Sequence, residues 1–194
     1  MARHQKKARQ LNAWLVFLDE SGLLMAPLLR RSWSRCGCTP LLYQRTRCHQ
    51  KVSVIAALCV GPARRRLALY FRLHADRNIT AVLVRQFLRE LLHELDGPVV
   101  LVWDRLLAHR ARRVEQFLRQ HPQLHPHFLP PYAPELNPVE YVWSYLKVNP
   151  LANAAIANVE TLAQLARHHG RRVQRNQRLL TSFLKHSPLR LRLT

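Results

Sequence analysis

Apolar runs separated by short polar segments predict a series of strands in the first half of the chain. Ala13 to Asp19, AWLVFLD, is typical of a buried strand that ends in an acid. Ser21-Gly22 then predicts a turn, with residues 23–29, LLMAPLL, as the hairpin partner of that strand. Three further strands are predicted at Leu41 to Arg47, at Val52 to Val60 and at Leu67 to His74.

Helical periodicity takes over in the second half, where helices alternate with strands. An amphipathic helix begins after Asn78 or Thr80, with leucines and valines at spacings of three and four. The elements predicted after it are a strand at Val99 to Asp104, a basic helix at 108–120, a strand at His125 to Leu129, a helix at 137–147, and one or two basic helices that stop near Pro188.

This order of elements predicts one α/β fold. Antiparallel strands followed by helix–strand–helix crossovers favour a mixed sheet, with antiparallel first strands and parallel later strands, covered by helices. We divide the chain into a basic tail (1–12), a core (13–148), and a linker with basic C-terminal helices that pack on the core (149–194).

The helix at 137–147 has an unusual entry, LPPYAPELNPVEYVWSYLK. Asn137 fits the N-cap position and Pro138 the first helical position, and Glu140 follows the cap by three residues. That spacing predicts a capping box, in which the glutamate accepts a hydrogen bond from the amide of the cap. A functional role for this carboxylate is the alternative.

Charge narrows the class of partner. The chain has 31 Lys and Arg residues against 11 Asp and Glu residues, a net charge of +20. Such an excess favours a polyanion, with nucleic acid first, although an arginine-rich proteome would produce a similar bias. No apolar run reaches transmembrane length and Asp19 interrupts the first one, so we expect a cytoplasmic protein associated with the bacterial nucleoid.

The four cysteines are expected to be reduced thiols. Cys36, Cys38, Cys48 and His49 lack the usual paired spacing of a zinc site, and Cys59 falls within an apolar strand.

Acids are scarce, and two of them end apolar strands. If the strands that end at Asp19 and Asp104 are neighbours, both carboxylates lie at one sheet edge, where sites of α/β proteins form. Close carboxylates repel unless a cation lies between them, and Mg²⁺ or Mn²⁺ suits oxygen ligands. Glu140, at a nearby helix start, is the candidate third ligand. Three carboxylates in basic surroundings suit a site of two metal ions for phosphodiester chemistry.

Four segments carry a resemblance to a known family. They are LDESG (18–22), Trp33 with Thr39-Pro40, VLVWDRLLAH (100–109), and the proline-rich stretch, and thirty-five residues separate Asp104 from Glu140. Over about residues 13–185 the chain resembles the catalytic domain of DDE transposases of the Tc/mariner superfamily, insertion-sequence-630 type. The resemblance implies an RNase H-like fold, two Mg²⁺ or Mn²⁺ ions, and DNA cleavage with strand transfer.

Carried over residue by residue, the resemblance assigns Asp19, Asp104 and Glu140 as the catalytic metal ligands. His109 matches a histidine often found five residues after the second acid. Arg105 departs from the pattern, because the family usually has Asn there; an arginine could hold a DNA phosphate or crowd a metal ligand.

Partners follow from the same resemblance. They are DNA, a second copy of the chain on DNA, and a separately encoded helix-turn-helix protein, since only twelve basic residues precede the first strand. A truncated or co-opted domain that binds nucleic acid without catalysis is the alternative function. For backbone phosphates the expected contacts are Arg64, Arg65, Arg66, Arg110, Arg112, Arg113 and Lys147.

Two other acids near the site are assigned minor roles. Glu20 should point to the opposite side of its strand from Asp19, in a supporting or surface position. Glu135, in the proline-rich loop, is an alternative to Glu140. Trp143 is expected to pack in the core.

Overall fold

The computed structural model describes residues 7–8, 10–26, 28–39, 41 and 50–188. A five-stranded sheet forms the centre of the fold, in the order β3-β2-β1-β4-β5. The strands are β1 (Trp14–Leu24), β2 (Lys51–Val60), β3 (Leu67–Ala75), β4 (Val99–Trp103) and β5 (Leu124–Phe128). Because β1 to β3 pair antiparallel while β4 lies parallel to β1 and β5, the predicted mixed sheet is confirmed.

Between residues 76 and 188 the chain forms five α-helices and one 3-10 turn. The helices are α1 (Ala81–Glu94), α2 (Arg112–Gln120), α3 (Val139–Val148), α4 (Val159–Arg175) and α5 (Gln177–His186), and the 3-10 turn covers Pro134–Leu136. The basic helix starts later than predicted, at Arg112 instead of 108, because the backbone at His109 and Arg110 forms turns back to Leu106 and Leu107.

The alternation of side chains along β1 builds a core on each face of the sheet. Leu15 and Phe17 join the cluster that contains residues of α3, α4 and α5. Val16 and Leu18 join the cluster formed with α1 and α2. Because successive residues of a strand point to opposite faces, Asp19 continues the first set and Glu20 the second.

The turn predicted at Ser21-Gly22 is wrong. Strand β1 runs through it to Leu24, and Ser21 and Gly22 pair in register with Val54 and Ser53 of β2. Leu23 is buried on the continued ladder, so the antiparallel partner of β1 is β2 and not residues 23–29. The strand predicted at Leu41 to Arg47 lies outside the described residues, apart from Leu41.

The C-terminal helices cover one face of the sheet and its β3 edge. Gln174 Nε2 donates to the Leu69 carbonyl (2.6 Å) and Gln177 Nε2 to the Leu67 carbonyl (2.9 Å). These side chains satisfy edge groups that would otherwise be open to another strand. Leu162 of α4 is fully buried in the same layer.

If α4 is an integral part of the core, Leu162→Ala should destabilise the whole domain. We expect a loss of about 2–5 kcal/mol in the free energy of unfolding, because the substitution leaves a cavity under the helix. Leu107→Ala is the matched control, since Leu107 is 83% exposed. Urea unfolding followed by circular dichroism measures both; equal stabilities would show that α4 contributes little to the core.

Candidate active site between β1, β4 and α3

The parallel pairing of β1 with β4 brings two acids to one edge of the sheet. Phe17 pairs with Val102, and Asp19 and Asp104 each follow their paired residue by two positions. Both side chains therefore lie at the same level, just beyond the last pair of the parallel ladder. Strand β1 does not end at Asp19 as predicted, because its antiparallel pairing with β2 continues to Leu24.

A cavity of about 340 Å³ opens at this edge and contains all three predicted ligands. Its walls come from β1 at Asp19, the segment that follows β4, the proline-rich loop and the first turn of α3. The lining residues are Asp19, Asp104, Arg105, Leu106, Leu129, Pro130, Pro131, Tyr132, Ala133, Pro134, Asn137 and Glu140. Glu135 is exposed and is not one of them, so the geometry favours Glu140 over this alternative.

Asp19 is a buried carboxylate held by one side-chain donor. Trp143 Nε1, from α3, donates to Asp19 Oδ2 at 2.9 Å. Burial, and then the charge of Glu140, raise the pKa of Asp19 to about 8, although the Trp143 hydrogen bond opposes the shift. Trp143 packs in the core as predicted, but its indole N–H also orients a site carboxylate. Helical spacing places Trp143 on the buried face without revealing that contact.

Asp104 has one oxygen fixed by two donors. The Leu106 amide donates to Oδ1 at 2.9 Å, and His109 Nδ1 lies 2.9 Å from the same oxygen. The His109 hydrogen bond is the main cause that lowers the pKa of Asp104, with burial acting against it. Both contacts involve Oδ1, so Oδ2 is the oxygen left for a further ligand.

His109 bridges two carboxylates from different strands. The ring is buried and its Nε2 lies 2.9 Å from Glu20 Oε1. It also stacks on Trp103, with ring centroids 4.3 Å apart and planes 13° apart. Burial alone would lower the pKa of His109, but its bonds to Asp104 and Glu20 outweigh burial and raise it to about 9. At neutral pH the ring therefore donates from both nitrogens.

These contacts create a second acidic group that the sequence did not predict. Among the described residues, Glu20, Asp104 and His109 offer ligand atoms that all lie within 4.8 Å of one another. Asp104 belongs both to this group and to the predicted triad, whereas Asp19 and Glu140 lie outside it. Glu20 does point away from Asp19, and its partner on that side is His109. The family resemblance singles out His109 as a residue near the site, but the helix expected at 108–120 gave no signal that its ring turns back to Asp104 and Glu20.

Glu140 is half-buried and faces the other acids. Burial, its largest influence, and the charge of Asp104 raise the pKa of this carboxyl, while Lys147 lowers it. The capping box does not form, because the Asn137 amide donates to the Pro134 carbonyl at 2.8 Å. Asn137 Nδ2 instead donates to the Leu18 carbonyl of β1 at 3.1 Å. The asparagine thus fastens the start of α3 beside Leu18 of β1, and Glu140 is free of a capping role.

Basic residues lie at and beside the cavity. Arg105 lines it, and its guanidinium lies 6.0 Å from the centre of the Phe128 ring. Lys147 Nζ donates to Ser21 Oγ at 2.8 Å. Three more arginines predicted to contact DNA are exposed on the turn and first residues of α2: Arg110, Arg112 and Arg113.

The arginine turn between β2 and β3 lies elsewhere. It follows Val60, which pairs with Leu15, so it occupies the end of the sheet opposite the carboxylates. Arg64 is buried and unsuited to a duplex phosphate as placed, whereas Arg65 and Arg66 are exposed.

The cysteines described are free thiols. Cys36 and Cys38 are exposed, and burial raises the pKa of the Cys59 thiol. Cys48 and His49 lie outside the described residues.

Comparison with known proteins identifies the family. The profile of the DDE superfamily endonucleases matches residues 14–163, so the chain belongs to that family. No curated protein matches the sequence significantly. No helix among the described residues is long and apolar enough to cross a membrane.

Solved structures similar to this chain are complexes and domains of Mos1 transposase. The paired-end complex with the left transposon end has a TM-score of 0.65 at 16% identity and covers 96% of this chain and 54% of that one. The paired-end complex with Mn has a TM-score of 0.64 at 17% identity, covering 96% and 55%. The catalytic domain of Mos1 mariner transposase has a TM-score of 0.57 at 14% identity, covering 95% and 79%.

These similarities confirm the expected RNase H-like fold. At such identities they show the fold alone. The chain spans about half the length of the Mos1 chains in the paired-end complexes.

Replacing Asp19 with an uncharged side chain of the same shape should stabilise the metal-free protein, because a pKa raised to about 8 means that this carboxyl must take up a proton on folding at neutral pH. Asp19→Asn keeps an oxygen for Trp143 while eliminating the carboxylate that burial and Glu140 disfavour. We expect the melting temperature in EDTA to rise by several degrees, since about 1 kcal/mol shifts the Tm of a domain this size by roughly 2–4 °C.

Glu115→Gln is the control for this measurement. It removes the same charge from an exposed position of α2 and should leave Tm nearly unchanged. A lower Tm for Asp19→Asn than for the wild type would contradict the electrostatic account of this site.

Proposed function

We propose that this chain is the catalytic domain of a DDE transposase of the Tc/mariner superfamily, insertion-sequence-630 type. Its activity is metal-dependent cleavage of DNA followed by strand transfer. The observation that carries the proposal is the cavity into which β1, β4 and α3 bring Asp19, Asp104 and Glu140. A chain of net charge +20 that gathers three of its few acids in one cavity favours phosphodiester chemistry.

The residues present suit divalent cations. The pKa of Asp19 is raised to about 8 and that of Glu140 is also raised, so both carboxylates are destabilised as anions in the metal-free site. A nearby cation would reverse that penalty, and hard carboxylate oxygens suit Mg²⁺ or Mn²⁺. Asp19, Asp104 and Glu140 would hold two such ions. When bound, the ions would activate a water or a 3′-hydroxyl and stabilise the leaving oxygen.

The protein's own contribution is to present single oxygens in fixed positions. Trp143 engages Oδ2 of Asp19, which leaves Oδ1 for a ligand. Leu106 and His109 engage Oδ1 of Asp104, which leaves Oδ2. A site held by such contacts needs little rearrangement to bind its ions and a phosphate. Arg105, at the cavity wall, is placed to contact a phosphate oxygen of the DNA.

DNA is the partner that this activity requires. The names of the Mos1 structures, a paired-end complex with a transposon end and complexes with Mn and with Mg, support the same partner and ions here. We further propose that two copies act together on DNA, and that a separately encoded helix-turn-helix protein supplies recognition of the ends.

Glu140→Gln tests the role of the third acid. The substitution keeps the size of the side chain but removes its charge, so Mn²⁺-dependent nicking of plasmid DNA should fall by about 100-fold or more. Because Glu140 forms no capping box and its charge disfavours the Asp19 anion, the melting temperature in EDTA should be no lower than that of the wild type.

Glu135→Gln is the matched control for that experiment. Glu135 belongs to the same loop but lies outside the cavity, so nicking should persist. Normal nicking by Glu140→Gln would refute the ligand role. A wild type that binds DNA but never nicks it would instead support a co-opted domain without catalysis.

Binding to duplex DNA should be electrostatic and should depend on the exposed arginines at the turn before α2 and at the start of that helix. Combining Arg110→Ala, Arg112→Ala and Arg113→Ala should weaken affinity and flatten its dependence on salt. For every phosphate that the variant no longer neutralises, the slope of log K against log salt should become shallower by about 0.9. This slope is obtained from fluorescence anisotropy titrations at salt concentrations between roughly 50 and 200 mM.

The pair Arg65→Ala and Arg66→Ala serves as the control for charge alone. Those arginines lie at the opposite end of the sheet, so their removal should change the slope less. A slope that both sets of substitutions leave unchanged would contradict phosphate binding by these side chains.

A further inference from the structure

We propose that Glu20 is a positioning residue for Asp104 and acts through the ring of His109. The inference rests on the proposed function, in which Asp104 binds a metal ion. It adds two residues, Glu20 and His109, whose task is to hold one oxygen of that ligand in place.

The first argument is geometric. His109 spans two carboxylates, with Nε2 2.9 Å from Glu20 Oε1 and Nδ1 2.9 Å from Asp104 Oδ1. Its side chain is 0% exposed and stacks on Trp103, the residue before Asp104. The ring therefore has little freedom to turn, and the positions of the two carboxylates are linked.

The second argument concerns the backbone that carries these groups. Glu20 comes from β1, whereas Asp104 follows β4 and precedes the turn that returns His109 to the strand ends. The Leu106 amide donates to Asp104 Oδ1, and the His109 amide donates to the Leu106 carbonyl. The turn thus donates hydrogen bonds to the carboxylate of Asp104, from which it starts. Through His109, Glu20 connects this turn to β1, the central strand of the sheet.

The third argument is the free-energy cost of burying the Glu20 carboxylate. Its side chain is only 10% exposed in this arrangement. A carboxylate so nearly buried is unfavourable unless it is paired, and His109 provides the partner. Hydrogen bonds from outer residues that orient a ligating carboxylate typically matter to metal affinity by about 10–100-fold.

A direct metal ligand is the competing role for Glu20, since its oxygen, Asp104 and His109 lie close enough together to surround an ion. The two roles predict opposite outcomes for two conservative substitutions. Glu20→Gln keeps the length and can accept from or donate to His109 Nε2, but it loses the charge. Glu20→Asp keeps the charge but withdraws the carboxylate by one methylene from the ring.

The test is Mn²⁺ binding to the folded protein, measured by isothermal titration calorimetry, with Mn²⁺-dependent nicking as a second readout. If Glu20 positions Asp104, Glu20→Gln should bind Mn²⁺ within about threefold of the wild type, whereas Glu20→Asp should bind about 10-fold or more weakly. Nicking by Glu20→Asp should then require correspondingly more Mn²⁺. Glu115→Gln controls for the loss of one negative charge from the chain.

Three results would overturn the inference. In the first, Glu20→Gln binds Mn²⁺ more weakly while Glu20→Asp binds it normally, which marks a direct ligand. In the second, both substitutions weaken Mn²⁺ binding equally. In the third, both variants bind Mn²⁺ with the affinity of the wild type. Failure of the proposed function looks different, because the wild type would then show no saturable Mn²⁺ binding or Asp104→Ala would bind Mn²⁺ as the wild type does. Melting in EDTA confirms that each variant is folded.

Discussion

The parallel pairing of β1 with β4 is the constraint on which the candidate site depends. It places Asp19 and Asp104 at the same level, and β1 also receives the side chain of Asn137 at Leu18, which fastens the start of α3. A shift of one residue in this register would send one acid to the opposite face of the sheet. The register is in turn fixed by buried residues on both faces of β1, so the core determines where the acids meet.

Electrostatics works against the arrangement that the sheet imposes. Asp19 is destabilised as an anion by burial and by its acidic neighbours, and the same influences raise the pKa of Glu140. Asp104 has the opposite behaviour, since His109 lowers its pKa. The three acids are thus unequal, with one held ionised by a histidine and two that would gain most from a cation. Carboxyl groups with such shifted pKa values are expected at a functional site. Two carboxylates that are disfavoured as anions do not contribute to the stability of the fold.

Periodicity was sufficient to predict most of the fold. The apolar runs that became β2 and β4 and the leucine spacing of α1 identified those elements within one to three residues, because each is buried along a regular face. It failed at Ser21-Gly22, where local turn propensity was overridden by ten ladder pairs with β2. The capping box also failed to form at Asn137, because its amide donates to the Pro134 carbonyl; its side chain accepts from the Val139 amide and donates to the Leu18 carbonyl of β1. Pairing with a distant strand decided the first case, and a local backbone hydrogen bond decided the second.

The acids that β1 contributes to the site lie on its two faces, because successive side chains of a strand point to opposite sides. Asp19 and Glu20 are adjacent in the chain, and strand geometry sends the first towards α3 and the second towards the turn that holds His109. Asp104 ends the neighbouring strand, where it lines the cavity with Asp19 and accepts from the histidine that Glu20 holds. One dipeptide therefore supplies a carboxylate to the cavity and another to the scaffold behind it. Sequence identified the acid in the cavity because it follows an apolar run and matches the family resemblance, although β1 in fact continues past it. The role of its neighbour depends on a histidine 89 residues away.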